Sequence, residues 1–314
     1  MAEVICLGIF VADVVARPVD QWPDRGRLVL VDDMQLHTGG CAANTAVGLV
    51  RMGIPTGIIG KVGSDAFGDF FRRAMEREGV ETKGMVVDTS SHTSATMVMV
   101  HADGERSFIH YIGANAVLRP EDIDFDIIRP ARILHVAGAM IMAGLDGEQT
   151  ALLLKKAKEA GIITAMDTVW DTTGRWLELL KPSLPYVDYF VPSFEEAKML
   201  AGKEEPADVA QVLRAAGAKV VALKMGIKGC YVRSDHAELR LPAFKVDTVD
   251  ATGAGDAFAA GFLAGVAHGW DLERTAKLAN AAGALCTTAM GTTAGLRSLE
   301  ETEALTKTAR ALPM

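Results

Sequence analysis

From residue 133 to residue 224 the chain repeats one pattern, a short unbroken apolar run followed by a segment with helical spacing. Residues 133–137, 162–167, 186–191 and 220–224 read as strands, and residues 146–160, 193–201 and 207–216 as helices between them. Strands apolar on both faces must be covered on both faces. Strand–helix–strand crossovers run right-handed, so the pattern predicts a mostly parallel α/β sheet between two helical layers. The earlier runs at 4–10 and 54–61 join the same sheet, with a helix ending near Met52 and another over 69–78 that stops at Gly79. A hairpin-like stretch at 229–241, helices at 256–268 and 272–286, and a closing helix from about Ser298 complete the expectation. An apolar share of 49% with only 6% aromatics suits such a sheet, and 314 residues allow one large domain.

Two segments break the rhythm. Residues 17–37 are turn-rich, with Pro18, Pro23 and Gly26, and residues 93–101 and 106–112 are extended runs joined across Asp103-Gly104, a strong hairpin signal. Together they predict a small separate sheet. Its spare apolar face, with Met97, Met99, Phe108 and Tyr111, should cover a cleft or meet another subunit.

The chemistry concentrates in Asp250-Ala251-Thr252-Gly253-Ala254-Gly255-Asp256, which leads into a helix of small residues. Amides of Gly253, Ala254 and Gly255 without bulky side chains, at the positive end of a helix dipole, make a concave anion site. A carboxylate beside such a site is electrostatically unfavourable unless it takes a proton from a nucleophile attacking the anion, so Asp256 points to phosphoryl transfer. The alternative is a plain glycine-rich turn with an acidic first helical turn. Asp13, just past the first strand, stands where open α/β sheets bind ligands, unless it is a turn aspartate. Gly39-Gly40 allows close backbone approach and Asn44 can both donate and accept, which suits a polyhydroxylated ligand.

A net charge of −8 gives no basic footprint for nucleic acid or an anionic membrane. Cys6, Cys41, Cys230 and Cys286 form no CxxC pair, and the seven histidines show no metal-ligand spacing. Neither a Walker loop nor a GxGxxG after the first strand is present. With no leader and no apolar run of about 18 residues, the expectation is a soluble cytoplasmic protein with reduced core thiols.

Gly39-Gly40 with Asn44, then Gly60-Lys61-Val62-Gly63 with Asp65 and Gly68, then Asp250 to Asp256 follow the order seen in the ribokinase-like, or PfkB, family of carbohydrate kinases, which the whole chain resembles. The resemblance implies a single ribokinase-like three-layer α/β domain over residues 1–314, with a small β-sheet lid from about 12–37 and 92–112, often used for dimerisation. It implies ATP-dependent phosphorylation of a sugar hydroxyl, with Asp256 as base and the amides of Gly253, Ala254 and Gly255 as anion hole. Asp13, Gly39, Gly40 and Asn44 resemble the sugar contacts. Ser193, Lys224, Gly226, Gly229 and Asn280 fall at nucleotide positions, and Glu196 at a water-mediated Mg2+ position. Backbone carbonyls at Asp250, Thr252 and Gly291 resemble a K+ site.

Departures bear on the acceptor. Ser193 stands where relatives carry Asn, and Val11 where ribokinases carry a sugar-binding Asn. The run Asp167-Thr168-Val169-Trp170-Asp171 lacks the Asn and Arg of many keto-sugar-acid and fructose kinases, which disfavours an anionic acceptor. Trp170 or Trp176 either stacks on a sugar ring or belongs to the core. A nucleoside kinase and a non-catalytic sugar- or nucleotide-binding regulator are the alternatives.

Overall fold

A computed structural model describes residues 1–102 and 105–312. Its strands are β1 (Val4–Gly8), β2 (Val11–Arg17), β3 (Asp33–Gly39), β4 (Thr56–Gly63), β5 (Glu81–Asp88), β6 (Ala95–Val100), β7 (Arg106–Tyr111), β8 (Ile133–Ala139), β9 (Ile163–Thr168), β10 (Tyr189–Phe190), β11 (Val220–Lys224), β12 (Cys230–Arg233) and β13 (Glu238–Leu241). The helices are α1 (Cys41–Arg51), α2 (Ala66–Arg77), α3 (Phe125–Ile128), α4 (Glu148–Glu159), α5 (Leu177–Leu180), α6 (Phe194–Ala201), α7 (Pro206–Ala215), α8 (Ala254–Ala267), α9 (Leu272–Cys286) and α10 (Leu299–Thr308).

Nine strands form the main sheet in the order β13-β12-β11-β10-β9-β8-β1-β4-β5. It is parallel from β5 to β11 and antiparallel only through the β11–β12–β13 hairpins. Alternation along β1 shows how three layers arise. Val4 and Cys6 join a core with α1, α8 and α9 on one face, while Ile5 and Leu7 join a second core with α4, α6 and α7 on the other. Absent side chains set the helix spacing: a Cβ on Gly48 of α1 would lie 2.6 Å from that of Ala260 in α8, and one on Gly261 of α8 2.9 Å from the Ala279 Cα in α9. The N-terminal end of α8 is thereby brought over the carboxyl ends of the central strands.

The expected elements are present with shifted ends. The run at 186–191 pairs only through Tyr189 and Phe190, and the strand begun at Ile133 continues to Ala139. The edge strand β5 was not anticipated, because Glu81-Thr82-Lys83-Gly84 carries no apolar alternation and an edge strand buries little. The Asp103-Gly104 joint lies outside the described residues.

β3-β2-β6-β7 form the small sheet. Strand parity divides it differently from the expectation. Val11, Asp13, Val15, Thr96, Val98, Val100 and Phe108 share the face lining a cavity with the 250–256 turn. Met97, Ile109 and Tyr111, of opposite parity, are 45–51% exposed, while Met99 is buried against Ala16, Val19 and Val31. Phe108, although 57% exposed, lies by register on the cavity-lining face, not with Met97 and Tyr111. Among the described residues no helix is long and apolar enough to cross a membrane.

Lys61 on β4 fixes the edge of the main sheet. Its buried Nζ lies 2.6 Å from the Asp122 carboxylate and 3.4 Å from that of Asp88, and donates to the Val117 carbonyl at 3.0 Å. Lys61→Met removes the cation shared by the partly exposed Asp88 and Asp122 carboxylates. Urea denaturation is expected to show a loss on the order of 3 kcal/mol; a loss below about 1 kcal/mol would mean the cluster is solvated like a surface pair.

Candidate active site

The turn before α8 is shaped by one backbone requirement. Gly253 has φ 79°, and a Cβ there would lie 2.4 Å from the Thr292 carbonyl oxygen, so no side chain fits. Of the three amides, Ala254 N–H makes a long 3.3 Å bond to the Ala251 carbonyl, while the N–H groups of Gly253 and Gly255 have no acceptor among the described residues. The first N–H groups of a helix have no intrahelical partner, so these two remain available to a ligand. Asp256 stands in the first turn of α8, where Asn44 Nδ2 donates to its Oδ2 at 2.8 Å and Thr45 Oγ1 donates to its carbonyl at 3.4 Å.

This turn separates two cavities of about 250 Å³ each. Asp250, Thr252, Gly253 and Asp256 line the first, and Ala251, Ala254 and Gly255 the second. One ligand on each side would meet at the helix entrance.

Asp13, Gly40 and Asn44 line the first cavity. Asp13 sits on β2 of the small sheet, not in a turn after β1. Gly39 lies beneath it: a Cβ there would come within 2.1 Å of Asp13 Oδ2, so the glycine makes room for the carboxylate. Gly40 holds φ 95° against the Ile9 carbonyl at the start of α1. Asn44 Oδ1 is buried and has no partner among the described residues. Burial pushes the Asp13 carboxyl up to about 6, with Thr96 partly offsetting it through a hydrogen bond. Trp170 and Trp176 pack edge to face at 4.9 Å and line neither cavity.

Lys224, Gly226, Gly229 and Asn280 line the second cavity. A Cβ on Gly229 would lie 1.9 Å from the Leu241 carbonyl oxygen, and Asn280 Nδ2 donates to the Pro242 carbonyl at 3.1 Å. Ser193 lines neither cavity; its hydroxyl accepts from the Glu196 N–H at 3.3 Å as a helix cap. The Glu196 carboxylate accepts from Ser193 N–H at 3.2 Å and from Thr168 Oγ1 at 2.9 Å.

Two functional groups escaped the sequence reading. Lys224 Nζ donates to both Asp167 oxygens, at 2.8 and 2.6 Å, and lies 3.4 Å from where a Gly255 Cβ would be. Burial works against the Lys224 charge, but Asp167, Glu196 and Asp256 together hold its pKa above the ordinary value. Three carboxylates around one ammonium leave surplus negative charge, and burial raises Asp167 to about 7 despite its cation. The position of Asp167 at the carboxyl end of a central strand was the available signal. The other is Arg106, whose Nη1 donates to Asp250 Oδ1. Asp250 and Gly291 also meet through a side chain, Gly291 N–H donating to Asp250 Oδ2 at 2.9 Å.

A family model described as pfkB family carbohydrate kinase matches residues 1–299. The chain belongs to that family. A probable fructokinase-5 of Arabidopsis thaliana is 30% identical over 284 residues, covering 86% of this chain and 88% of the relative. An ATP-dependent ribose-1-phosphate kinase of Halopiger xanaduensis is 32% identical over 288 residues, covering 91% and 92%. Among solved structures, a putative ribokinase II from E. coli in complex with ATP and Mg2+ superposes with a TM-score of 0.86 at 25% identity, covering 98% of this chain and 99% of that one. The chain is thus a carbohydrate kinase with the ribokinase-like fold.

In this pfkB kinase an ionised, desolvated Asp13 costs stability above about pH 6, whereas the unfolded chain titrates the group near 3.8. Below about pH 4 the carboxyl is protonated in both states and the cost disappears. Asp13→Asn is expected to raise the melting temperature at about pH 8, with the gain shrinking as pH falls from 6 towards 4. A gain independent of pH would refute the assigned cause.

Proposed function

We propose that this kinase transfers the γ-phosphoryl group of ATP to a hydroxyl of a neutral sugar-like acceptor. The observation that carries the reading is the division of the two cavities by one helix entrance, with the acid on the acceptor side and unpaired amides between. The acceptor hydroxyl donates its proton to Asp256 as its oxygen attacks the γ-phosphorus. The bond from that phosphorus to the β,γ-bridging oxygen breaks, and ADP carries away the electron pair. Asn44 Nδ2 donates to the Asp256 carboxylate and so orients it. The amides of Gly253 and Gly255 meet the transferring oxygens, with Ala254 contributing a weaker third donor. Lys224, beside Gly255, faces the same charge.

The surplus carboxylate charge around Lys224 fits an incoming Mg2+–nucleotide complex. Among the described residues no group of three His, Cys, Asp or Glu side chains could hold a metal by itself, so Glu196 would reach Mg2+ through water, as a phosphate-borne ion prefers. The ion supplies charge neutralisation on the phosphates. We extend the reading to K+ at the carbonyls of Asp250, Thr252 and Gly291, residues that line the acceptor cavity; turnover in choline instead of K+ reads it. The outward apolar residues Met97, Ile109 and Tyr111 fit a second copy of the chain, and sedimentation equilibrium reads the dimer.

A second reading, nucleoside phosphorylation, is favoured by the row Val15–Val98–Phe108 in register across β2, β6 and β7. Hydroxyls of a free sugar placed against that row would go unpaired, at about 1–3 kcal/mol each. A flat apolar aglycone would not.

Asp256→Asn is expected to lower kcat roughly 10²–10⁴-fold while acceptor affinity changes little; retained turnover removes Asp256 as base. An ADP-release panel with D-fructose, D-ribose, sugar acids, sugar phosphates and adenosine should show turnover confined to neutral acceptors. Preference for adenosine over D-ribose selects the second reading, and turnover confined to anionic acceptors contradicts both.

A further inference from the structure

The acceptor cavity is roofed by β2 and β6, the middle strands of the small sheet. Its edge strands, β3 and β7, contribute His37, Arg106 and Phe108 to the same lining, and both also grip the polypeptide that shapes the helix entrance. On the β7 edge, Arg106 reaches the carboxylate of Asp250. That carboxylate is 8% exposed, and its Oδ1 also accepts from Thr252 N–H at 2.9 Å and Thr252 Oγ1 at 2.7 Å, its Oδ2 from Gly291 N–H at 2.9 Å. Asp250 thus sets the turn immediately before Gly253 and ties it to the 287–296 loop. On the β3 edge, the Thr38 carbonyl accepts from Thr292 Oγ1 at 3.0 Å. Thr292 is the residue against whose backbone Gly253 is seated. The two edges therefore converge on Gly253, one through Asp250 and one through Thr292.

We propose that Arg106 is a positioning residue for phosphoryl transfer: through Asp250 it makes the geometry of the Gly253–Gly255 amides depend on the small sheet being seated over the acceptor. The inference rests on the reading of those amides and Asp256 as the transfer centre. Its physical basis is the inventory of partners at Asp250. Without Arg106 the carboxylate keeps three local donors but loses its sole cation among the described residues and its connection to the small sheet. The turn then remains folded but is no longer coupled to what lies beneath β2 and β6. Amides that must meet a transferring phosphoryl group within a few tenths of an ångström lose effect when their support loosens. An alternative role for Arg106, direct recognition of an anionic acceptor, is disfavoured because its Nη1 is paired with Asp250 and Asp13, Asp250 and Asp256 all line the same cavity.

The test compares Arg106→Met, Arg106→Lys, Asp250→Asn and the double variant Arg106→Met/Asp250→Asn with the wild type, using the acceptor that the panel above turns over. Arg106→Met is expected to lower kcat about tenfold or more while KM for ATP changes less than about twofold, the pattern of a lost transition-state interaction. Arg106→Lys should recover part of kcat. The double variant should lose little beyond Asp250→Asn, because the two residues act as one unit. Hydrogen exchange supplies a readout that needs no acceptor: in Arg106→Met, peptides covering 250–256 and 287–296 should exchange faster, while β8 stays protected. Unchanged kcat, or additive losses in the double variant, would overturn the proposal. So would a rise in acceptor KM alone with exchange unchanged, which would make Arg106 a simple acceptor contact. Turnover surviving in Asp256→Asn would remove the transfer-centre reading instead, and the exchange data would still decide whether Arg106 holds the turn.

Discussion

The structure depends on a single close approach, the backbone of Gly253 against the backbone of Thr292. A left-handed residue without a side chain lets the chain enter α8 while the 287–296 loop lies directly on top of it. At the same place the N–H groups of Gly253 and Gly255 have no acceptor among the described residues, and the turn lies between two cavities. The rest of the fold brings material to this point: the parallel sheet supplies strand ends beneath it, α1 brings Asn44 to the side, and the small sheet covers one half.

Charge is balanced around the entrance less evenly than shape. One ammonium, Lys224, answers to Asp167, Glu196 and Asp256. A buried ion pair earns little stability by itself, and a surplus carboxylate beside it costs some. Such an arrangement makes sense in a place that awaits a cation-accompanied ligand. Asp13 is a second case of the same trade, a buried carboxylate with Thr96 as its partial relief, facing a cavity that polar hydroxyls would fill. In both places burial of a carboxylate costs stability that its neighbours only partly offset.

Much of this was legible in the chain. Continuous apolar runs between helical segments specified a doubly covered parallel sheet, and β1, β4, β8, β9 and β11 lie where those runs do. Small residues from Gly253 to Gly255 ahead of Asp256 announced the helix entrance, because only backbone chemistry explains bulk-free positions beside an acid. The two-residue β10 was overestimated and β5 missed, since edge pairing leaves little hydrophobic pattern. Arg106 and Asp167 were invisible as functional groups for another reason. Their meaning lies in partners 144 and 57 residues away, and no local spacing encodes such a meeting. The inward side of Phe108 was a matter of strand register, which shifts every side chain to the other face when displaced by one residue.

The small sheet meets the helix entrance through Thr38 and Arg106 on its outer strands, while the two strands between them line the cavity with Asp13, Val15, Thr96 and Val98. Residues such as Val15 and Val98 can change in size or polarity without disturbing Thr38 or Arg106. Under the proposed coupling, a change in that ceiling reaches the helix entrance only through the two edge contacts, so the molecule chosen can change while Thr38 and Arg106 stay in place.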